Sequence, residues 1–413
     1  MNLLPVADAL KTIIDAISQT NNEVVPLAKA NGRILAHDIA AVFDQPPFDG
    51  SAMDGYALNA KAGAKGTQLD VIGVSAAGEA FEGTLTAGQC TRIYTGAPMP
   101  KGANAVIMQE KISRDGDIIT LEDDVVAGQN VRDKGNDFAL GDVLISMDTK
   151  LSPFHLALAA AANHATLQVR KAPKLTLVAT GDELVPPGST LEKDQIIASN
   201  GFGLTPLFAH FGAEVKDGGI IKDDRQTLKN ELKRMLDEKP DVLVTTGGAS
   251  VGDRDYVKEV LEELGVELSF WKIAVRPGKP LMFGTKGKTT IFGLPGNPVS
   301  ALVTGTVFVV PAIKAKLGQS PDHMITQLPL TADMASNGPR QHYRRAKLTQ
   351  NANGSLGVDP HMQSDSAHLT SLSASDCFVV QKPLEESKRV GEMVDVLVMP
   401  WAGGWMKKSA LAD

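Results

Sequence analysis

Three glycine-rich segments each follow an apolar run, and each could bring backbone N–H groups to a phosphate. TTGGAS follows DVLV and carries Gly247, Gly248 and Ser250. GLPGNPVSA follows TTIF and carries Gly293, Pro295, Gly296, Asn297 and Pro298. ATGDEL follows LTLV and adds two carboxylates, Asp182 and Glu183. Turns of this kind at the carboxyl ends of parallel strands are where open α/β sheets bind ligands. Free N–H groups and a helix start there attract anions. A lone Gly-Gly turn serves equally well as a tight strand–helix connection. Two such loops at one sheet edge favour a phosphate or nucleotide pocket. No GxGxxG opens a helix and no GxxxxGK[ST] occurs, which argues against a dinucleotide fold and a P-loop.

Charged residues surround these loops. VRPGKP places Arg276 and Lys279 about a Pro-Gly turn; a planar fork and a compact point charge both suit an oxyanion. By itself the turn reads better as two solvated surface charges. Asp182, Glu183, Asp223, Asp224, Asp253 and Asp255 fall at loop positions of the same region. Carboxylates beside phosphate suit Mg²⁺, which takes oxygen ligands together with phosphate oxygens. Singly, Asp224, Asp253 or Asp255 suits a helix N-cap. The eight histidines show no HExxH, so zinc has no support. PPFDGSAMDGYAL and RIYTGAPMPKGANAVIMQE are polar turns to which residue chemistry alone assigns nothing.

The elements that must position these residues follow from periodicity. Apolar positions Val6, Leu10, Ile13, Ile14 and Ile17 predict an amphipathic first helix. Short extended runs broken by Gly, Pro, Asn and Asp predict a mostly β domain over 41–137. Ser152 as N-cap and Pro153 at the first helical position open an Ala-rich helix. That helix and the first one bracket the β domain and are expected to pack together, as a linker domain of 1–40 and 138–172. Strand–helix alternation over 173–320 predicts a three-layer α/β domain with a largely parallel sheet. Short strands return over 327–402 and suit a small C-terminal β-barrel.

The 413 residues exceed one ordinary core. A formal charge of −7 argues against a general nucleic-acid binder. The longest apolar run, Val299 to Ile313, is short for a bilayer and interrupted by Pro311, so no membrane association is expected. The opening residues MNLLPVADALKTIIDAI lack the charged start, apolar run and small-residue cleavage site of a secretory signal, so none is expected. Cys90 and Cys377 form no CxxC, which suits a reducing compartment. A cytoplasmic location is expected.

The strings PPFDGSAMDGYA, RIYTGAPMPKGANAVI, VRDKGNDF, ATGDEL, SNGFGL, DVLVTTGGASVGDRDY, FWKIAVRPGKPLMFG and GLPGNPVSA occur in this order. Together they closely resemble the molybdopterin molybdenumtransferase family, the MoeA type that includes the E domain of gephyrin. The resemblance implies a homodimer of four-domain chains, with an α/β domain like that of molybdopterin adenylyltransferase. It implies a reaction in which molybdate and adenylylated molybdopterin give molybdenum cofactor and AMP, assisted by a divalent metal such as Mg²⁺. Catalytic positions carried over from the family are Asp54, Thr95, Asp137, Glu183, Asp223 and Asp255. Glu183, Asp223 and Asp255 would serve the metal. Gly247, Gly248, Ser250, Gly293, Pro295, Gly296, Asn297 and Pro298 would hold the pterin nucleotide. Molybdate would fall to Arg276, Lys279, Arg345 and Ser366, with Arg276 where the family has lysine. Arg344 stands directly beside Arg345. In the implied dimer, Asp54 and Thr95 belong to one subunit and the α/β pocket to the other. An adenylyltransferase is an expected partner protein. Two other readings share the fold: the adenylyltransferase itself, which would consume ATP, and a non-catalytic scaffold of the gephyrin E-domain type.

Overall fold

In a computed structural model, the chain forms two compact units, one of residues 1–23 with 170–413 and one of residues 24–169. The structure describes residues 3–248, 256–350, 354–360, 365 and 367–402. Ser250, Asp253, Asp255 and Ser366, singled out above, lie outside these described residues.

The larger unit is built on a six-stranded sheet. Its order is Glu214–Ile221, Lys174–Thr180, Val242–Thr246, Thr289–Leu294, Met282–Lys286, Glu267–Trp271. The first four strands are mutually parallel; Met282–Lys286 runs antiparallel to both its neighbours. Val242–Thr246 and Thr289–Leu294 are buried at every residue. Strands covered on both faces have no polar side, which explains their unbroken apolar runs.

Helices cover both faces. On one, α4 (Arg225–Asp237) and α5 (Val257–Glu263) bury Leu228, Leu232, Met235, Val260 and Leu261 against Val178, Leu243 and Ile291. The spacing of Leu228, Leu232 and Met235 is that of one helical face. Asp224 caps α4, accepting from Thr227 N–H at 2.8 Å, as its position suggested. On the other face lie α3 (Asn200–His210) and the chain from α6 (Pro298–Thr304) to α7 (Val310–Lys316).

The chain from α6 to α7 corrects one expectation. Pro311 does not interrupt the apolar run: one continuous helix spans Pro298–Lys316. Proline lacks an N–H and crowds the carbonyl four residues back. A wider π turn over Gly305–Val309 makes room, and Val307 O instead accepts from His323 Nε2 at 3.0 Å. This helix is long and apolar enough to cross a membrane by length and composition. Because 78% of its apolar window is buried inside the protein, it reads as a core helix.

A second sheet in this unit has the order Val275–Arg276, Gln341–Gln350, Cys377–Gln381, Met393–Val398, Ile325–Pro329. Leu356–Pro360 also pairs with Gln341–Gln350. A small C-terminal β-barrel was expected; the region forms a half-barrel sheet of these strands.

The smaller unit holds a six-stranded, mostly antiparallel sheet in the order Ala105–Met108, Gly55–Leu58, Gln89–Ile93, Gln68–Ser75, Ile118–Leu121, Ile112–Asp115. Its core includes Leu58, Leu69, Cys90, Ile107 and Ile119. Helix α2 (Pro153–Ala161) belongs here, opened by the Ser152–His155 capping box with Pro153 at its start. The N-terminal helix α1 (Val6–Asp15) instead packs on α7 in the larger unit. The two helices expected to pack together are therefore in different units. Periodicity reports which face of α1 is apolar, but not which partner covers it.

Both thiols are fully buried, and burial pushes each pKa up to about 12. The reactive thiolate is thus scarce at neutral pH. Native protein near pH 8 should resist iodoacetamide at both cysteines, whereas urea-unfolded chain should take up two equivalents. Labelling of one thiol before unfolding would contradict this burial.

Candidate functional site

At the carboxyl edge of the parallel strands lies a cavity of about 410 Å³. It is lined by Gly247 and Gly248, by Pro295, Gly296, Asn297 and Pro298, and by Glu183 and Asp223. Eight residues from four separate loops thus converge on one space. The two glycine loops touch: a Cβ placed on Gly296 would sit 3.6 Å from Gly247 Cα. Asn297 is the N-cap position and Pro298 the first residue of α6.

Gly247 and Gly248 both require left-handed backbone, with φ of +87° and +61°. A Cβ on Gly247 would lie 2.4 Å from the Thr180 carbonyl oxygen, and one on Gly248 2.2 Å from Val257 Cγ2. Only glycine lets this turn lie so close to the first strand. Gly293 has a different place. It is buried in the Thr289–Leu294 strand under Met282, so it serves packing and does not line the cavity.

The carboxylates gather where ATGDEL meets the end of the Glu214–Ile221 strand. Asp182 Oδ1 accepts from Asp223 N–H at 3.1 Å. Burial, then the neighbouring charges of Asp182 and Glu183, raises the Asp223 pKa above the ordinary aspartate range. Among the described residues no three metal-binding side chains converge on a point. Two carboxylates, Glu183 and Asp223, do face one cavity. That donor set fits Mg²⁺, which binds through one or two carboxylates and completes its shell with phosphate oxygens and water.

The cationic turn borders this cavity through Pro280, one of its lining residues. Gly278, at φ +105°, packs so tightly on α6 that a Cβ would meet Thr304 Cγ2 at 2.3 Å. The turn is thus held against the helix that begins at the cavity. Lys279 is exposed and Arg276 half-buried. Arg345 is 5% exposed, and its Nη1 donates to the His368 carbonyl at 3.2 Å. His368 leads into α8 (Leu369–Ser373), which itself packs against α6.

In the smaller unit Asp54 and Thr95 meet directly. Asp54 Oδ1 accepts from Thr95 N–H at 2.8 Å and from Thr95 Oγ1 at 3.0 Å. These two bonds, with a lesser contribution from the Arg92 charge, lower the Asp54 pKa. Arg92 lies over both Tyr56 and Tyr94, 5.2 and 4.8 Å from the ring centroids. Asp137 lines another cavity, of about 550 Å³, with Arg132, Asn136, Phe48, Ser51 and Gly96. Gly96 is the residue after Thr95, so the Thr-Gly turn reaches this cavity's rim.

Several residues escaped the sequence reading. Asn200, at the start of α3, donates through Nδ2 to Gly296 O at 2.8 Å and lines the cavity. Thr180, Thr246 and Ile196 line it too. The available signal was SNGFGL, an Asn-Gly helix opening after an extended pair. Arg340 and His342, close to Arg276 and Arg344, also went unread, because periodicity does not report contacts between distant segments.

Comparison with known proteins agrees with this arrangement. The MoeA N-terminal region (domain I and II) matches residues 4–163, the "Probable molybdopterin binding domain" residues 176–315, and the MoeA C-terminal region (domain IV) residues 327–399. The molybdopterin molybdenumtransferase of Haemophilus influenzae is 35% identical over 382 residues, covering 91% of this chain and 94% of that protein. Its counterpart in Staphylococcus aureus is 31% identical over 405 residues, 96% of each. The crystal structure of a molybdopterin biosynthesis MoeA protein from Pyrococcus horikoshii superposes with a TM-score of 0.83 at 32% identity. That match covers 97% of this chain and 100% of the other. With three successive regions matched and near full-length relatives above 30% identity, this chain belongs to the molybdopterin molybdenumtransferase family.

Proposed function

We propose that this chain inserts molybdate into adenylylated molybdopterin, releasing AMP and giving molybdenum cofactor. The observation that carries the reading is the cavity where two glycine loops, the start of α6 and two carboxylates meet beside a cationic turn. The glycine turns bring the backbone close enough for N–H groups to hold phosphate oxygens. Glu183 and Asp223 would hold Mg²⁺, with Asp255 as a further ligand. The metal when bound would offset charge on the phosphoanhydride oxygens. Arg276 and Lys279 would hold the molybdate dianion, with Arg345 and Ser366 completing its shell. An acidic chain repels such an ion overall, so its binding demands a local cationic group.

The test is AMP release from adenylylated molybdopterin. Release should require both molybdate and Mg²⁺ and consume no ATP. ATP consumption would point to the adenylyltransferase reaction, and no turnover at all to a scaffold. Glu183→Gln should shift the Mg²⁺ dependence to roughly 10- to 100-fold higher concentration, as loss of a metal partner commonly does. An unaltered Mg²⁺ curve would remove Glu183 from the site. Lys279→Ala should weaken molybdate roughly 10- to 100-fold, the loss of one charge-assisted hydrogen bond, and leave AMP affinity nearly unchanged. Calorimetric titration with each ligand distinguishes the two.

We further propose a cytoplasmic homodimer that receives its substrate from an adenylyltransferase, with Asp54 and Thr95 acting in trans. Mixing inactive Asp54→Ala and Lys279→Ala chains should then restore part of the activity. Absence of recovery after confirmed subunit exchange would place the site within one chain.

A further inference from the structure

Three strand ends of the smaller unit's sheet come together at one place. Gly55–Leu58 pairs antiparallel with both Gln89–Ile93 and Ala105–Met108. Antiparallel pairing sets the start of one strand beside the end of the next. Asp54, one residue before its strand, therefore meets Thr95, two residues beyond Gln89–Ile93, and Gln109, directly after Ala105–Met108. Gln109 N–H donates to the Asp54 carbonyl at 3.1 Å. Arg92 lies opposite Tyr56 in this register, so the two side chains share a face. Tyr94, two residues on, reaches the same guanidinium.

The Arg92 side chain lies across that junction. Its Nη1 donates to the Gly55 carbonyl at 3.1 Å and its Nη2 to Gln109 Oε1 at 2.5 Å. Gln109 Nε2 donates in turn to Glu110 Oε1 at 3.1 Å, which aims the amide oxygen at Arg92. The guanidinium carbon lies over the Tyr56 and Tyr94 rings. Tyr56 is anchored by its hydroxyl, which accepts from Arg114 Nη1 at 3.2 Å. A planar fork that bonds two acceptors while resting on aromatic rings is a property of arginine that lysine lacks. Arg92 forms no ion pair among the described residues. Its charge acts on Asp54, whose pKa is lowered first by the Thr95 bonds and then by Arg92. Both Thr95 bonds go to Asp54 Oδ1, which leaves Oδ2 without a partner among the described residues.

We propose that Arg92 is a positioning residue for the Asp54–Thr95 pair: its guanidinium ties the Asp54–Gly55 turn to Gln109 and to the strand that leads into Thr95, so that Asp54 presents Oδ2 in a fixed direction. That the pair takes part in molybdate insertion rests on the proposed function; the brace rests on the bonds and ring contacts about Arg92.

The experiment uses the full chain and two variants. Arg92→Gln should lower kcat of molybdate-dependent AMP release by up to about 100-fold, the effect of a slightly misplaced reacting group, with the KM for adenylylated molybdopterin little changed. Arg92→Lys keeps the charge and loses the fork, so it should recover only a small part of kcat. A second measurement needs no substrate. In chain labelled with ¹⁵N-threonine, the Thr95 N–H that donates to Asp54 should exchange with solvent about 10-fold faster in either variant. The amides of Thr91 and Thr120, within strands of the same sheet, should keep their protection. A merely structural arginine would instead lower the unfolding midpoint and speed exchange across the sheet, with kcat of the folded chain unchanged, and that result overturns the proposal. Wild-type kcat or unaltered Thr95 exchange in Arg92→Lys overturns it as well, whether or not Arg92→Gln folds. Faster Thr95 exchange in the variants, with no molybdate-dependent AMP release by the wild-type chain, would keep the brace and take away the proposed reaction.

Discussion

Gly247→Ala is expected to destabilise the larger unit by about 3 kcal/mol and to abolish nucleotide binding. Two effects add. An L-residue held in left-handed backbone costs about 1–2 kcal/mol, and Gly247 sits at φ +87°. The new Cβ would also lie 2.4 Å from the Thr180 carbonyl oxygen, which is backbone of the adjacent strand and cannot swing away. Overpacking of that kind costs about 1–3 kcal/mol. Relief requires the turn to lift off the strand, and the turn forms one wall of the cavity. Gly188→Ala is the internal control. Gly188 has a similar φ of +89°, but nothing lies within 4 Å of its added Cβ. It should lose only the backbone part. Urea unfolding of both variants, with AMP titration, measures the difference. Equal losses at the two positions would show that the close approach at Gly247 has no energetic consequence.

Asp223→Asn is expected to stabilise the protein at neutral pH while weakening Mg²⁺ roughly 10- to 100-fold. The folded-state pKa of Asp223 is raised by burial and by Asp182 and Glu183. The native state therefore binds that proton more tightly than the unfolded chain. Stability is lost as pH rises from the ordinary aspartate range through the raised value, and the penalty is complete above it. Asparagine carries no charge and removes that penalty. Its gain should vanish in acid, where Asp223 is protonated in both states. Saturating Mg²⁺ should reverse the ranking at neutral pH, because bound cation favours the ionised aspartate. Thermal melts at acid and neutral pH, with and without Mg²⁺, give four values to compare. An asparagine variant less stable than wild type at neutral pH without metal would mean that Asp223 is not held against its neighbours' charge.

The α/β region was the most legible part of the chain. Runs such as DVLV and TTIF are apolar throughout because both faces of those strands are covered. Helix α4 declared itself by one-face spacing and a capping aspartate. Glycine loops after such strands located the cavity, since parallel strands deliver their carboxyl ends to one edge. Asp54 and Thr95 had no signal in their own residue types and entered only through resemblance. Their hydrogen bonds join turns 41 positions apart.

What the sequence by itself determined was local: periodicity, caps, turns that only glycine can make, and the family's strings. These follow from backbone sterics and from which face of an element is apolar. The tertiary structure alone decided pairings between distant segments. It set α1 on α7 and not on α2, carried the helix through Pro311 with His323 completing its hydrogen bonds, and placed Gly293 in the strand beneath the cavity. It also decided which of two adjacent arginines faces Arg276. Adjacent strand residues point to opposite faces, but the face that meets Arg276 is set by a register between segments 66 positions apart, Arg276 opposite His342. Long-range register depends on how whole elements pack, and no short string of residues encodes it.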